Sequence, residues 1–212
     1  WEMNGEPIPR SHGGPLRLIV PGYFGCNQIK FVEQLAFTKE QGPAKIQQTG
    51  YRMRPIGVKG TPDQPAMWEM PVKSFITLPS DRTPVVAGKI RVTGVAFGGS
   101  KRVAKVEVST DGKRWGEARL VGPDRGRHAW RVFELELERE PGPVKLYSRA
   151  TRVDGEMQPE LRNENERGYG NNSWRDMGVT VQVCNATDEV CLTPPRESST
   201  VPRGPRKPVE LS

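Results

Sequence analysis

The feature that most limits the fold of this chain is a period of two. Between residues 71 and 183, short runs alternate apolar and polar side chains, and turn signals end each run. The runs cover residues 72–77, 89–95, 103–109, 129–138, 144–151 and 179–183. Ser80-Asp81, Gly98-Gly99, Asp111-Gly112, Pro141-Gly142 and Asp154-Gly155 separate them. Such pairs suit the tight turns between antiparallel strands. Val103, Lys105, Glu107 and Ser109 alternate with Ala104, Val106 and Val108, which predicts one wet and one dry face. Val132, Glu134, Glu136 and Glu138 alternate likewise with Phe133, Leu135 and Leu137. About seven strands in roughly 115 residues is the pattern of an immunoglobulin-like antiparallel β-sandwich.

Composition agrees and narrows the chemistry. The 212 residues include 23 Gly and 20 Pro, a density of backbone punctuation that excludes a helical bundle. Mean hydropathy is −0.64. No stretch approaches the roughly 18 apolar residues of a membrane helix, so no membrane partner is expected. Lys+Arg 32 against Asp+Glu 25 leaves a net charge of +7, spread over the body of the chain. A spread excess suits a small anion or an acidic protein partner. Nucleic acid is not expected, because there is no dense basic stripe with aromatic platforms. Two histidines and three cysteines cannot build a His-rich metal centre. Cys184 and Cys191 lack the second pair that zinc spacing requires. No Walker loop, HExxH or GxSxG occurs.

Residues 1–70 have another texture. Leu16-Arg17-Leu18-Ile19-Val20, stopped by Pro21-Gly22, reads as a strand, and Ile29-Lys30-Phe31-Val32 as a second. Residues 38–70 are polar, irregular and long for a loop, a length more often functional than accidental. Glycine-rich turns flank the first strand and bring His12, Arg17 and Lys30 into reach of backbone N–H groups. That combination can hold an oxyanion or can be an ordinary solvated loop. Residues 184–212 lose the alternation and read as a Pro-rich tail.

Two groups of motifs carry a resemblance. The first is Trp1-Glu2-Met3-Asn4-Gly5-Glu6-Pro7-Ile8-Pro9, then His12-Gly13-Gly14-Pro15-Leu16-Arg17, Pro21-Gly22 and Ile29-Lys30-Phe31. The second is Val106–Gly112, Trp115, Trp130, Arg149-Ala150, Gln158-Pro159 and Arg167-Gly168-Tyr169-Gly170-Asn171-Asn172-Ser173-Trp174. Over about residues 1–183 the chain resembles the C-terminal part of the sulfite oxidase family of molybdenum enzymes. The resemblance implies a mainly β chain in three parts. Residues 1–70 would end a partial α+β molybdopterin-binding domain, residues 71–183 would form the immunoglobulin-like dimerisation domain, and 184–212 the tail.

The same resemblance implies roles. His12 and Arg17 match residues that grip the terminal phosphate of the molybdenum-molybdopterin cofactor. Gln28, Ile29 and Lys30 match its next contact, through backbone N–H groups and the Lys30 ammonium. Tyr51 matches an active-site tyrosine, although Gln47-Gln48-Thr49-Gly50-Tyr51-Arg52 departs from the family's W-Q-x-x-D-Y. Arg167 matches an arginine that reaches into the substrate pocket, and its presence favours a sulfur oxyanion over nitrate. Trp174 reads as a buried structural residue. No metal ligand is expected here: the family's molybdenum-binding cysteine lies upstream of the Met-Asn-Gly stretch, and Cys26 stands in the wrong motif and reads as a partly buried thiol.

The opening Trp1 reads as the start of a processed, trimmed or partial chain, inactive without the missing half. The activity implied is oxidation of sulfite to sulfate, with electrons passing to a cytochrome or other separate acceptor and a homodimer as the assembly. Two other readings stay open at this point. One is a non-catalytic dimerisation or interaction module; the other is a nitrate- or sulfoxide-reducing relative with the same cofactor. Export, to the periplasm in a bacterium, would let Cys184 and Cys191 pair as a disulfide.

Overall fold

The computed structural model of the chain describes residues 1–81, 83–188 and 191. It opens with a small hairpin of β1 (Glu2–Met3) and β2 (Glu6–Pro7), turned by Asn4-Gly5 with both residues at positive φ. This is the Asn-Gly turn chemistry of two-residue hairpins. Eight further strands follow: β3 (Lys73–Leu78), β4 (Val85–Val86), β5 (Gly88–Phe97), β6 (Val103–Ser109), β7 (Gly116–Val121), β8 (Arg131–Arg139), β9 (Gly142–Arg152) and β10 (Val179–Cys184).

These eight strands hydrogen-bond in the order β3-β5-β8-β7-β6-β9-β10-β4. Strand β7 joins the two layers. Its Gly116, Glu117 and Ala118 pair with Val108, Glu107 and Val106 of β6. Its Arg119, Leu120 and Val121 pair with Glu134, Phe133 and Val132 of β8. One strand therefore passes from layer to layer, and the sandwich is a single sheet curled on itself. Every strand pairing in it is antiparallel except that of β10 with β4, which is parallel.

The dry faces meet in a core of Val72, Val92, Val106, Phe133, Leu146 and Val181, none more than 1% exposed. Each such side chain contributes about 1.5–3 kcal/mol by leaving water. Gly94 is obligatory beneath Phe133, because an added Cβ would stand 2.3 Å from the ring. The curl is closed by a satisfied polar knot. Ser74 of β3 bonds Ser148 of β9 at 2.9 Å and donates to Gln158 Oε1 at 2.9 Å.

Several sequence expectations need adjustment. The register of β6 shifts between Val103 and Lys105, so Val103 is buried and Ala104 exposed, the reverse of strict alternation. A bulge changes the phase of a strand in this way. Strand β7 was not expected, because only Ala118 and Leu120 mark its dry face. Residues 16–20 and 29–32 form no strand. Two bonds, Leu18 N–H to Ile29 O and Val32 N–H to Leu16 O, both 2.9 Å, leave them as an extended pair. Trp174 is buried as expected, 6% exposed, edge-on to Trp115 and Tyr147. Cys184 and Cys191 form a disulfide. The rest of the expected tail, 189–190 and 192–212, lies outside the described residues.

Candidate functional site

The first cluster is built on a tight turn. Residues Arg10–His12 make one 3-10 turn, and Gly13 continues it at φ 98°, a conformation that favours glycine. Gly13 and Gly14 are both buried. A Cβ on Gly14 would lie 1.9 Å from Ile8 O, and one on Gly13 would lie 2.6 Å from Lys30 Cγ. The turn therefore packs directly on residue 30, and Phe31 N–H donates to Gly13 O at 3.0 Å. Lys30 Nζ donates to Ser11 O at 3.3 Å, and Arg17 Nη1 to His12 O at 3.1 Å. His12, Arg17 and Lys30 thus surround one exposed turn. Arg17 Nε is shielded from water and has no acceptor among the described residues. A cationic cluster with an unspent guanidinium donor fits an oxyanion such as a phosphate.

Gln28 and Ile29 complete this wall differently. Gln28 Nε2 donates to Tyr23 O at 3.2 Å, and Ile29 O accepts from Leu18. The Gln28 side chain and the Ile29 carbonyl brace the loop. Ile29 itself is 46% exposed, within a run of exposed apolar groups that includes Leu16, Ile19 and Phe31.

The second cluster joins the two parts of the chain. Residues Ile46–Gly50 form a single π-type helical turn that ends at Tyr51. Buried Arg52 locks the loop after it, donating to Gln48 O, Gln64 O, Gln41 Oε1 and Gln47 O. From the sandwich side, buried Asn165 accepts from Arg54 N–H at 2.5 Å and donates to Tyr169 O at 3.1 Å. Glu166 Oε2 accepts from Gly57 N–H at 2.8 Å. These bonds bring the rings of Tyr51 and Tyr169 to 5.5 Å.

Arg167 lies in that junction, exposed, at φ 60° within the turn Glu166–Gly168. A non-glycine residue in the left-handed region costs about 1 kcal/mol, and the Gly168 N–H to Asn165 O bond holds it there. The Tyr169 hydroxyl beside it holds the guanidinium above its ordinary pKa, with smaller contributions from Glu166 and Tyr51. Arg167 thus stands two residues from Tyr169, whose ring lies 5.5 Å from that of Tyr51. A cavity of about 440 Å³ is lined by Met53, Met67, Trp68, Met157, Tyr169 and Asn172; Tyr169 reaches it, whereas Arg167 and Tyr51 are not in its lining.

Of the bracing residues, Tyr169 stands in a motif that carries the resemblance but was given no role there, and Asn165 and Arg52 were assigned none. Cys26 is a half-buried thiol whose pKa burial pushes up; its Sγ lies 3.9 Å from Met67 O. No group of three metal-ligating side chains occurs among the described residues.

Comparison with known proteins fits this arrangement. Residues 1–46 match the oxidoreductase molybdopterin binding domain, and residues 64–183 match the Mo-co oxidoreductase dimerisation domain. Mitochondrial sulfite oxidase of Rattus norvegicus is 33% identical over 194 residues, covering 85% of this chain and 36% of that protein. Sulfite oxidase of Gallus gallus is 35% identical over 170 residues, covering 76% and 37%. The crystal structure of the sulfane dehydrogenase SoxCD from Paracoccus pantotrophus superposes with a TM-score of 0.69 at 32% identity, over 80% of this chain and 45% of that one. The chain thus spans little more than a third of the length of these curated relatives. By its matched domains, its relatives and its fold, the chain belongs to the sulfite oxidase family of molybdopterin oxidoreductases, of which it carries the C-terminal region.

Proposed function

We propose that this chain supplies the phosphate grip and the oxyanion-binding arginine of a molybdopterin-dependent oxidoreductase that oxidises sulfite to sulfate. The observation that carries the reading is the approach of Tyr51 to Tyr169, two residues from Arg167, across the junction of residues 1–70 and 71–183.

His12, Arg17 and Lys30, with backbone N–H groups of residues 28–30, would hold the pterin phosphate by charge-assisted hydrogen bonds. The cofactor, when bound, supplies oxygen-atom and two-electron chemistry. Arg167 presents a planar guanidinium with paired donors, a match for two oxygens of a small sulfur oxyanion. The Asn165 turn holds its backbone in place. Tyr51, whose ring meets that of Tyr169, would serve beside the substrate. Arginine at position 167 favours a sulfur oxyanion over nitrate or a sulfoxide.

The metal-binding cysteine would come from outside this chain, since Cys26 is a protonated, packed thiol and the other two cysteines form a disulfide. On its own the chain would be inactive. The assembly would be a homodimer through residues 71–183, and a cytochrome-type protein would accept the electrons. A disulfide at Cys184–Cys191 supports an oxidising compartment, the periplasm in a bacterium.

The test is turnover by the complete oxidoreductase that contains this chain. Reduction of cytochrome c with sulfite, and not reduction of nitrate or methionine sulfoxide, supports the reading. Nitrate turnover with no sulfite turnover refutes it.

A further inference from the structure

Three loops at one end of the sandwich each bring a cation to the same cleft. Lys101 comes from the turn between β5 and β6, Arg127 from the link between β7 and β8, and Arg152 from the end of β9. The cleft measures about 510 Å³, and Pro21, Tyr23 and Glu69 from the first part of the chain form its other wall. Its foundation is close-packed. Gly22 and Gly99 are buried at φ 86° and 69°. A Cβ on Gly22 would stand 3.0 Å from His128 Nδ1, and one on Gly99 would stand 2.1 Å from Met70 O. Met70 N–H donates to Gly22 O at 2.8 Å.

The charges there do not balance. Three cations line the cleft with one carboxylate, Glu69, whose Oε2 accepts from the Ser100 hydroxyl at 2.6 Å. Arg152 is spent on Asp154 and Glu156, at 2.7 and 2.8 Å. Lys101 and Arg127 are exposed and make no ion pair among the described residues. Arg127 Nε donates to His128 Nε2 at 3.0 Å, which makes that nitrogen the acceptor of the ring. Nδ1 is then its donor, and it is shielded from water with no partner among the described residues. Two cations without counter-charge and an unspent ring donor suit a negatively charged ligand.

We infer that this cleft binds a phosphoryl group, free or carried by a small organic molecule. A dianion satisfies Lys101 and Arg127 together, and the planar Arg127 fork can span two of its oxygens. A monovalent anion leaves one of the two cations unmatched. The volume lies in the range that takes a small organic ligand. Pro21 and Tyr23 give such a ligand an apolar wall opposite the cations. Bound there, it ties the sandwich loops to the first part of the chain and stabilises the folded state by mass action. The cleft shares no residue with the His12, Arg17 and Lys30 turn, nor with Arg167 and Tyr51, so it is independent of the sulfite reading.

Amide chemical-shift mapping of the full chain at about 0.15 M salt tests it, with inorganic phosphate and phenyl phosphate as probes. Saturable shifts should appear at Tyr23, Ser100, Lys101 and His128. The double variant K101Q/R127Q should keep its far-ultraviolet spectrum and bind about tenfold or more weaker, as loss of charge-assisted contacts does. K89Q/K113Q removes the same charge from exposed positions outside the cleft and should bind like the parent. Tighter binding of phenyl phosphate than of phosphate would support the site and assign it an organic phosphate; equal or weaker binding would support it and assign free phosphate. Absence of saturable shifts in the cleft would overturn the site, and so would parental affinity in K101Q/R127Q or an equal loss in K89Q/K113Q. Shifts confined to His12, Arg17 and Lys30 would also overturn it, while leaving the proposed phosphate grip in place.

Discussion

The rings of Tyr51 and Tyr169 meet at 5.5 Å, tilted by 38°, one from the irregular first part of the chain and one from the sandwich domain. Their contact depends on a buried amide. Asn165 ties Arg54 N–H to Tyr169 O and so holds Arg167 in its left-handed turn.

Removing that amide should therefore loosen both parts at once. Asn165→Ala leaves the Arg54 N–H without its acceptor at a buried position. A lost buried bond of this kind costs about 1–3 kcal/mol. Urea unfolding should show that loss, and Asn165→Asp should recover part of it by retaining an acceptor. An unchanged midpoint for Asn165→Ala would separate the latch from stability.

Arg17 has the opposite profile. Its Nη1 bond to the His12 carbonyl is exposed and its Nε is unspent. Arg17→Ala should cost less than about 1 kcal/mol in unfolding, as exposed polar contacts do. In the complete enzyme the same change should lower molybdopterin content on purification. Full cofactor occupancy would remove Arg17 from the phosphate grip.

Lys73 gives a pH signature. It is half-buried, its ammonium 3.4 Å from Asn171 O and 5.9 Å from the centre of the Phe75 ring, and burial lowers its pKa. The folded state holds this proton less tightly than the unfolded state does. Stability should therefore rise with pH between the lowered folded pKa and the ordinary lysine value near 10.5. Lys73→Met should abolish that rise and leave the midpoint at pH 7 equal or higher. A variant that retained the alkaline rise would assign it to another group.

The cysteines allow a simple count. The denatured, unreduced protein should titrate one thiol, Cys26, and the reduced protein three. In the native state Cys26 should react slowly, because burial raises its pKa and the thiolate is the reactive form. Three thiols before reduction would contradict the disulfide.

How far the sequence could carry these conclusions depended on where the information was local. Strands β6 and β8 announced themselves because Val106 and Val108, and Phe133, Leu135 and Leu137, recur at every second place. Strand β7 did not, since Ala118 and Leu120 alone carry its pattern and its partners change midway. The bulge beside Ala104 was equally invisible, because it depends on the register with β9. Residues 16–20 and 29–32 have strand composition, but in this chain they hydrogen-bond mainly to each other. In the site, the motif residues His12, Arg17, Lys30, Tyr51 and Arg167 were legible through resemblance. The bridging roles of Asn165, Tyr169 and Arg52 were not, because they join segments far apart in sequence.

The most direct test of the account is the steady-state kinetics of Arg167→Met in the complete enzyme with sulfite. Arg167 is exposed and makes no ion pair among the described residues, so its loss should leave folding and molybdenum content intact. Removing a charge-assisted contact worth about 1.5–3 kcal/mol should raise the KM for sulfite at least about tenfold. An unchanged KM for sulfite in a fully loaded variant would contradict the central claim that this arginine holds the substrate.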